Sequence, residues 1–500
     1  MSRIKEYKEL DGLGLAELIR NGDVSAEEVC EEAIRCAEEQ NPKLNAIITP
    51  MFDLVKPQIK EIQKESPFAG VPMLLKDVHH AFLGVPMSQG CEALKGVISD
   101  YDAEIVRRFK KAGLIVIGKT NTPEFKMGYI AEPSAFGATR NPWNTDYSSG
   151  GSSGGSASAV AARIVPIASG TDEGGSIRVP ASYCGLFGLK PSRGRNPVGP
   201  NFREEWSGMS TSHVLTRSVR DSAAILDAVS GPEPGCPYTT PPPKRPFLQE
   251  VSQPPATFRI AYSLRDVYGR EIHQECKKAV EETVSLLVNM GHQVEEVDPG
   301  FDEKVVILNE LVIMSAHVAA KLEEIRDDFK RPVNKKTIEL QNLALGAIGR
   351  NLNVVDFVRA KEAWRDAGVA MDRILSQYHM FLTPTLGQPP VKVGALEPEA
   401  KDRIAMKVAS SAAGKVLFSN RERTKSIMSD LIDSIVGPQM PLTPIANVTG
   451  LPAMSIPARL TESGLPMGVQ FVGRYADESS LFQLAAQLEK ARPWSAPAMG

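Results

Sequence analysis

The sequence predicts an α/β protein, and two observations carry that reading. Short apolar runs alternate with segments of helical period in the first half of the chain, and strand-like runs return after a long helical stretch in the second. Leu13, Leu15, Leu18 and Ile19 fall at helical spacing, and Ser25 with Glu28 forms a capping box, so residues 12–40 read as two helices covering the outside of a sheet. Val71 to Leu75 is a short apolar strand ending at Lys76-Asp77. Asp102 to Ala112 is helical, and Gly113 leads into the strand Leu114–Ile117. Parallel strands need a crossover helix, and this order supplies one. The Pro-rich stretch Pro232 to Pro255 reads as an ordered surface crossing, since proline is excluded from helix interiors. From Asp302 to about Gln377 the pattern is mostly helical and more charged. Strand signals return at Met380–Leu382, Ala453–Ile456 and Met467–Val472, before a last helix from Ser479 to about Lys490. Strands on both sides of the helical stretch imply one sheet and a single domain over residues 1–500, with a division near residue 240 as the alternative.

Composition narrows the function classes. In 500 residues, 42% are hydrophobic and 23% charged, which suits a globular body with a sizeable core. Fifty-seven Lys and Arg against 60 Asp and Glu leave a net charge of −3, so no global field favours nucleic acid or an anionic membrane. The first 30 residues are charged throughout, and no run approaches the roughly 18 apolar residues of a membrane span. Cys30, Cys36, Cys91, Cys184, Cys236 and Cys276 are scattered without a C-x-x-C pair, so the expectation is a cytoplasmic protein with no disulfide and no metal.

Chemistry concentrates in two glycine-rich segments. Ser148 to Ser158 would by composition be a linker, but it leads into Ala157–Ala162 and Ile164–Ile167, then a second knot from Gly170 to Ser176. Glycines recurring between strand and helix signals mark backbone that approaches a ligand closely. A phosphate-binding loop fails, since neither Gly-x-x-x-x-Gly-Lys nor Gly-x-Gly-x-x-Gly is complete in its context. A nucleophile elbow is satisfied in letters by Gly150-x-Ser152-x-Gly154 and Gly151-x-Ser153-x-Gly155. It lacks the preceding buried strand, because Asn141–Tyr147 is turn-rich. His213, His273, His292, His317 and His379 show no distinguishing surroundings, so no histidine base is evident. The remaining reading uses a serine nucleophile and a neutral lysine. Lys76 closes an apolar strand where desolvation lowers an ammonium pKa, and Ser152 and Ser176 sit in the two knots.

Gly150–Ser156, Gly170–Ala181 and Gly185–Pro191 together resemble the amidase signature family, as do Gly70–Asp77, Gly118–Glu124, Leu382–Thr385 and Asn447–Pro452. The resemblance covers most of the chain and is weakest at about 300–378. Ala138–Asn144 and Asn41–Ile47 look most like bacterial amidases near 6-aminohexanoate-cyclic-dimer hydrolase. It implies a large mixed β-sheet covered by helices on both faces, an added helical layer, and a signature core at about 65–230. It further implies a Ser–cisSer–Lys triad, with Ser176 as nucleophile, Ser152 as the bridging serine and Lys76 as base. The backbone N–H groups of Glu173, Gly174, Gly175 and Ser176 are the implied oxyanion hole. Phe125, Lys126, Met127, Gly128 and Tyr129, with Gly151, are the implied substrate contacts. Glu173 departs from the small residue usual at its position, so its side chain is expected to point away or meet a cation. Asp172 and Arg178 are expected to be structural partners. The implied activity is hydrolysis of linear, aryl or cyclic amides, or of carbamates and esters, without a cofactor. The partner is a small-molecule amide, with no nucleic acid and no membrane, and homodimer formation is left open. A glutamine-hydrolysing amidotransferase subunit and an inactive binding homologue are the rival readings.

Overall fold

A computed structural model describes residues 4, 6–201, 204–265, 271–300, 303–411, 442–494 and 496–497. Its strands are β1 (Ile47–Pro50), β2 (Pro72–Lys76), β3 (Ile115–Thr120), β4 (Arg140–Asn141), β5 (Asn144–Ser148), β6 (Ile167–Asp172), β7 (Phe187–Lys190), β8 (Thr211–Thr216), β9 (Arg259–Tyr262), β10 (Gln293–Glu296), β11 (Met380–Pro384), β12 (Ala453–Leu460) and β13 (Pro466–Gly473). Eleven of them form one mixed sheet in the order β1-β3-β2-β6-β8-β7-β12-β13-β11-β9-β10, while β4 and β5 make a separate ribbon. The sheet therefore runs unbroken from strands before residue 240 into strands after it. This is the α/β class that the sequence predicts.

Local chemistry explains the elements. Asp11 caps the helix Gly12–Asn21 by accepting from the Gly14 N–H at 3.0 Å. Ser25 and Glu28 bond reciprocally at 3.2 and 2.9 Å ahead of the helix Ala26–Leu44. β2 is buried at every position because parallel neighbours flank it, β3 on one side and β6 on the other. The helix predicted from Asp102 spans Glu104–Lys111, and the final helix spans Glu478–Ala491. The charged stretch holds the helices Glu303–Asp327, Leu340–Asn351 and Val354–Gln377, and its expected start at Asp302 lies outside the described residues. These helices pack Leu322, Leu345, Ile348, Trp364 and Met371 into a core with Trp206 and Ile445, forming the added layer. The segment taken as turn-rich before Ser148 does form a strand, β5, but Asn144, Thr145 and Asp146 on it are exposed.

Candidate active site

β2 and β6 are adjacent and parallel, with Leu74 beside Ala168, so Lys76 and Asp172 emerge on the same edge of the sheet. Carboxyl ends of parallel strands are where an open sheet presents ligand sites. The loop between β5 and the helix Gly154–Ala161 crosses this edge and carries Ser152. Its Gly151–Ser152 peptide is cis. A β-carbon on Gly151 would lie 2.7 Å from the Ile130 nitrogen, so glycine is what lets the loop pass over Tyr129–Ile130. Lys76 Nζ lies 2.6 Å from Ser152 Oγ and donates to Thr171 Oγ1 at 2.9 Å. The Ser153 N–H donates to the Ser176 carbonyl at 3.2 Å, tying the two knots together. Lys76 and Ser152 are fully buried, and Ser176 borders a cavity of 870 Å³. Burial pushes the Lys76 pKa down to about 7, although Glu173 nearby works in the other direction.

Asp172 shapes the nucleophile turn. Its Oδ1 accepts from the Gly175 N–H at 2.8 Å and from Arg178 Nη2 at 2.8 Å, while its Oδ2 accepts from the Ile177 N–H at 3.1 Å and Arg178 Nε at 3.0 Å. Arg178 also donates to the Thr443 carbonyl at 2.8 Å, to Asn447 Oδ1 at 2.6 Å and to Gln470 Oε1. Burial opposes ionisation of Asp172, but the Arg178 guanidinium holds its carboxyl well below the usual range. The expected pairing of Asp172 with Arg178 is thus present. The Gly175 N–H, counted in the expected oxyanion hole, donates to Asp172 in this structure. The N–H groups of Glu173, Gly174 and Ser176 have no protein acceptor among the described residues. Gly175 has φ 125°, and a β-carbon there would lie 2.1 Å from Thr443 Oγ1, so both conformation and space demand glycine.

The Glu173 carboxylate is neutralised by a cation. Its Oε1 accepts from Lys126 Nζ at 3.0 Å and from Ser210 Oγ at 2.8 Å. Lys126 Nζ also contacts Glu205, lies 2.8 Å from His79 Nε2, and sits over the Trp206 ring 5.2 Å from its centre. Burial works against Glu205 as an anion, yet His79 and Lys126 hold its pKa well below normal. Phe125 and Lys126 both take left-handed backbone, φ 54° and 60°, which turns the lysine toward this cluster. Strained non-glycine residues of this kind persist where the surrounding structure fixes them.

Met127, Gly128 and Tyr129 line the cavity together with Lys126, Glu173, Gly174 and Ser176. Phe125 is instead buried in the core and borders a smaller cavity of 280 Å³ behind Lys126 and Trp206, and Gly151 packs beneath residues 129–130. Three contributors were not singled out from the sequence. Thr171 holds Lys76 Nζ. Ser169 Oγ accepts from the Lys76 N–H at 2.9 Å and lies 2.7 Å from His80 Nδ1. Glu310 enters the cavity from the helix Glu303–Asp327. The adjacent pair His79-His80, three residues past Lys76, was the available signal for the Ser169 contact; Glu310 sits in no motif. Among the described residues no helix is long and apolar enough to cross a membrane, and no three His, Cys, Asp or Glu side chains are grouped to hold a metal ion.

Lys76 and Ser152 are thus paired at the edge of a mixed sheet, beside a glycine turn that carries Ser176, and the comparisons give the protein a family. The Amidase family model matches residues 28–482, and the chain belongs to the amidase signature family. It is an amidase, a hydrolase acting on carbon–nitrogen bonds. The 6-aminohexanoate-cyclic-dimer hydrolase of Pseudomonas sp. (strain NK87) is 34% identical over 99% of this chain and 97% of its own length. The lipoamidase of Enterococcus faecalis is 32% identical over 97% of this chain and 63% of its own. A structure of 6-aminohexanoate cyclic dimer hydrolase complexed with substrate superposes with a TM-score of 0.87 at 31% identity, covering 99% of this chain and 100% of that one. A bacterial aryl acylamidase gives 0.84 at 25% identity, covering 97% and 96%.

Proposed function

We propose that the chain hydrolyses small linear, aryl or cyclic amides through an acyl-enzyme on Ser176, with Ser152 as bridging serine and Lys76 as base. The observation that carries the reading is the 2.6 Å contact of a fully buried Lys76 with Ser152 Oγ. A lysine with a pKa near 7 is half neutral at neutral pH. In that form one N–H donates to Thr171 Oγ1, and the lone pair accepts the proton of Ser152 Oγ–H. Ser152 Oγ takes the Ser176 proton, Ser176 Oγ attacks the carbonyl carbon, and the N–H groups of Glu173, Gly174 and Ser176 receive the oxyanion. The relay runs backwards to protonate the leaving amine, and water then repeats the sequence to free the acid. Pairing of Glu173 with Lys126 keeps a bare carboxylate from opposing that oxyanion. Cleavage of aryl and cyclic substrates is supported by the relatives named above. A reducing cytoplasm is part of this reading, supported by six free thiols.

The test is product analysis by mass spectrometry after incubation with a mixture of aryl amides, cyclic amides, carbamates and glutamine. Products from wild type and none from folded Ser176→Ala are expected. Appreciable turnover by the folded variant would overturn the assignment. Ammonia from glutamine, with partner subunits retained through purification, would move the protein to the amidotransferase class.

A further inference from the structure

The roof of the cavity carries Leu311, Met314, Leu345 and Met406, with polar side chains such as Gln341 and Arg403 among them. Glu310 lies on the helix Glu303–Asp327 beside Leu311 and Met314, with only 5% of its surface exposed. Its Oε1 stands 3.1 Å from the place a β-carbon on Gly174 would take, and the Tyr129 hydroxyl stands 3.5 Å from the same place. A carboxyl and a phenol therefore converge on backbone two residues before the nucleophile.

Four other acids of this wall have protein donors. Glu124 accepts from the Glu339 N–H and from Asn342 Nδ2, Glu132 from the Gly394 N–H, Glu173 from Lys126, and Glu339 from the Ser134 N–H. The Glu310 carboxyl has no hydrogen bond or ion pair among the described residues. Burial alone raises its pKa to about 8. Buried carboxyls are ordinarily satisfied, so one facing a substrate cavity without a donor is a receptor for a donor that arrives with the ligand.

We propose that Glu310, with the Tyr129 hydroxyl beside it, is a specificity-determining subsite that receives an amine carried on the acyl chain a few atoms from the scissile carbonyl. The inference rests on the Ser176 reading for the location of that carbonyl. The group it receives lies close to the reacting carbon because Gly174 is two residues from Ser176. Leu311 and Met314 flank the carboxyl, so a charge-assisted bond there favours the amino substrate about tenfold to a hundredfold over an apolar isostere.

The test uses two p-nitroanilides of equal size, β-alanyl and butanoyl, which differ only in an ammonium against a methyl group. Wild type is expected to show a kcat/KM ratio of about ten or more in favour of the β-alanyl compound, and Glu310→Gln to lower that ratio about tenfold. The ratio is taken within one preparation, so partial unfolding of the variant cancels. A wild-type ratio near one, or a ratio untouched by Glu310→Gln, would overturn the inference while leaving the Ser176 chemistry intact. Failure to cleave either compound would count against the Ser176 reading instead. The subsite is then decided by calorimetry on Ser176→Ala with β-alaninamide and butanamide. Tighter binding of β-alaninamide that is lost in Ser176→Ala/Glu310→Gln supports it; equal binding of the two overturns it.

Discussion

The two walls of the cavity are built on opposite plans. On the sheet side, residues 148–158 and 167–178 are buried and closely hydrogen-bonded, and Asp172 alone accepts from Gly175, Ile177, Arg178 and Asn447. On the roof side, helices carry mostly apolar side chains, with Gln341, Arg403 and one acid that has no donor among the described residues. The first wall tolerates no change of position because proton transfer needs contacts of about 3 Å. The second tolerates variation because apolar contacts are additive and non-directional. The contrast teaches that, under the proposed mechanism, reaction type belongs to the sheet edge and substrate choice to the helical layer.

The most damaging way to break this contrast is at the sheet edge. Ser176→Ala and Lys76→Ala are each expected to lower kcat by at least about ten-thousand-fold with the circular dichroism spectrum preserved, which steady-state kinetics checks. Arg178→Met leaves the Asp172 carboxylate buried and unpaired, so a loss of about 3 to 5 kcal/mol in urea unfolding is expected. The protonation requirement predicts the pH profile. Because only neutral Lys76 can accept a proton, kcat/KM should fall below an apparent pKa of about 7 by close to tenfold per pH unit. On the roof, Met314→Ala removes side-chain bulk from the cavity lining, and should shift preference between long and short acyl amides about tenfold, read as a ratio of kcat/KM values. The smallest effect joins the two walls. The Glu173 charge raises the Lys76 pKa, so Glu173→Gln should move the acid limb to lower pH by a fraction of a unit.

The sheet-side wall was the part legible in the sequence. Lys76, Ser152 and Ser176 stand in contiguous motifs, and glycines such as Gly151 and Gly175 announce close backbone approaches that the coordinates then display. Helices with caps, Ser25-Glu28 above all, were equally readable because capping is local. What escaped was set by tertiary structure. β8 reads Thr-Ser-His-Val-Leu-Thr, without a continuous apolar run, and is buried only because Ser212 and His213 find partners in His80 and Ser222. The direction of the Gly175 N–H depends on where the Asp172 side chain turns, which spacing does not encode. Lys126 stood among the implied substrate contacts, and its place as counter-ion to Glu173 comes from two left-handed residues. Glu310 belongs to a helix with no motif, and only packing brings it to Gly174.

The anchoring of Arg178 has a consequence in time. Its acceptors at Thr443, Asn447 and Gln470 lie 265, 269 and 292 positions further along the chain. A ribosome adding about 5 to 20 residues per second reaches them on the order of tens of seconds after it has made the nucleophile. During that interval the growing chain holds Lys76, Ser152 and Ser176 but has nothing to fasten the guanidinium that steadies their turn. Under the proposed mechanism the emerging polypeptide is expected to stay silent toward amides until residues 443–470 have been made.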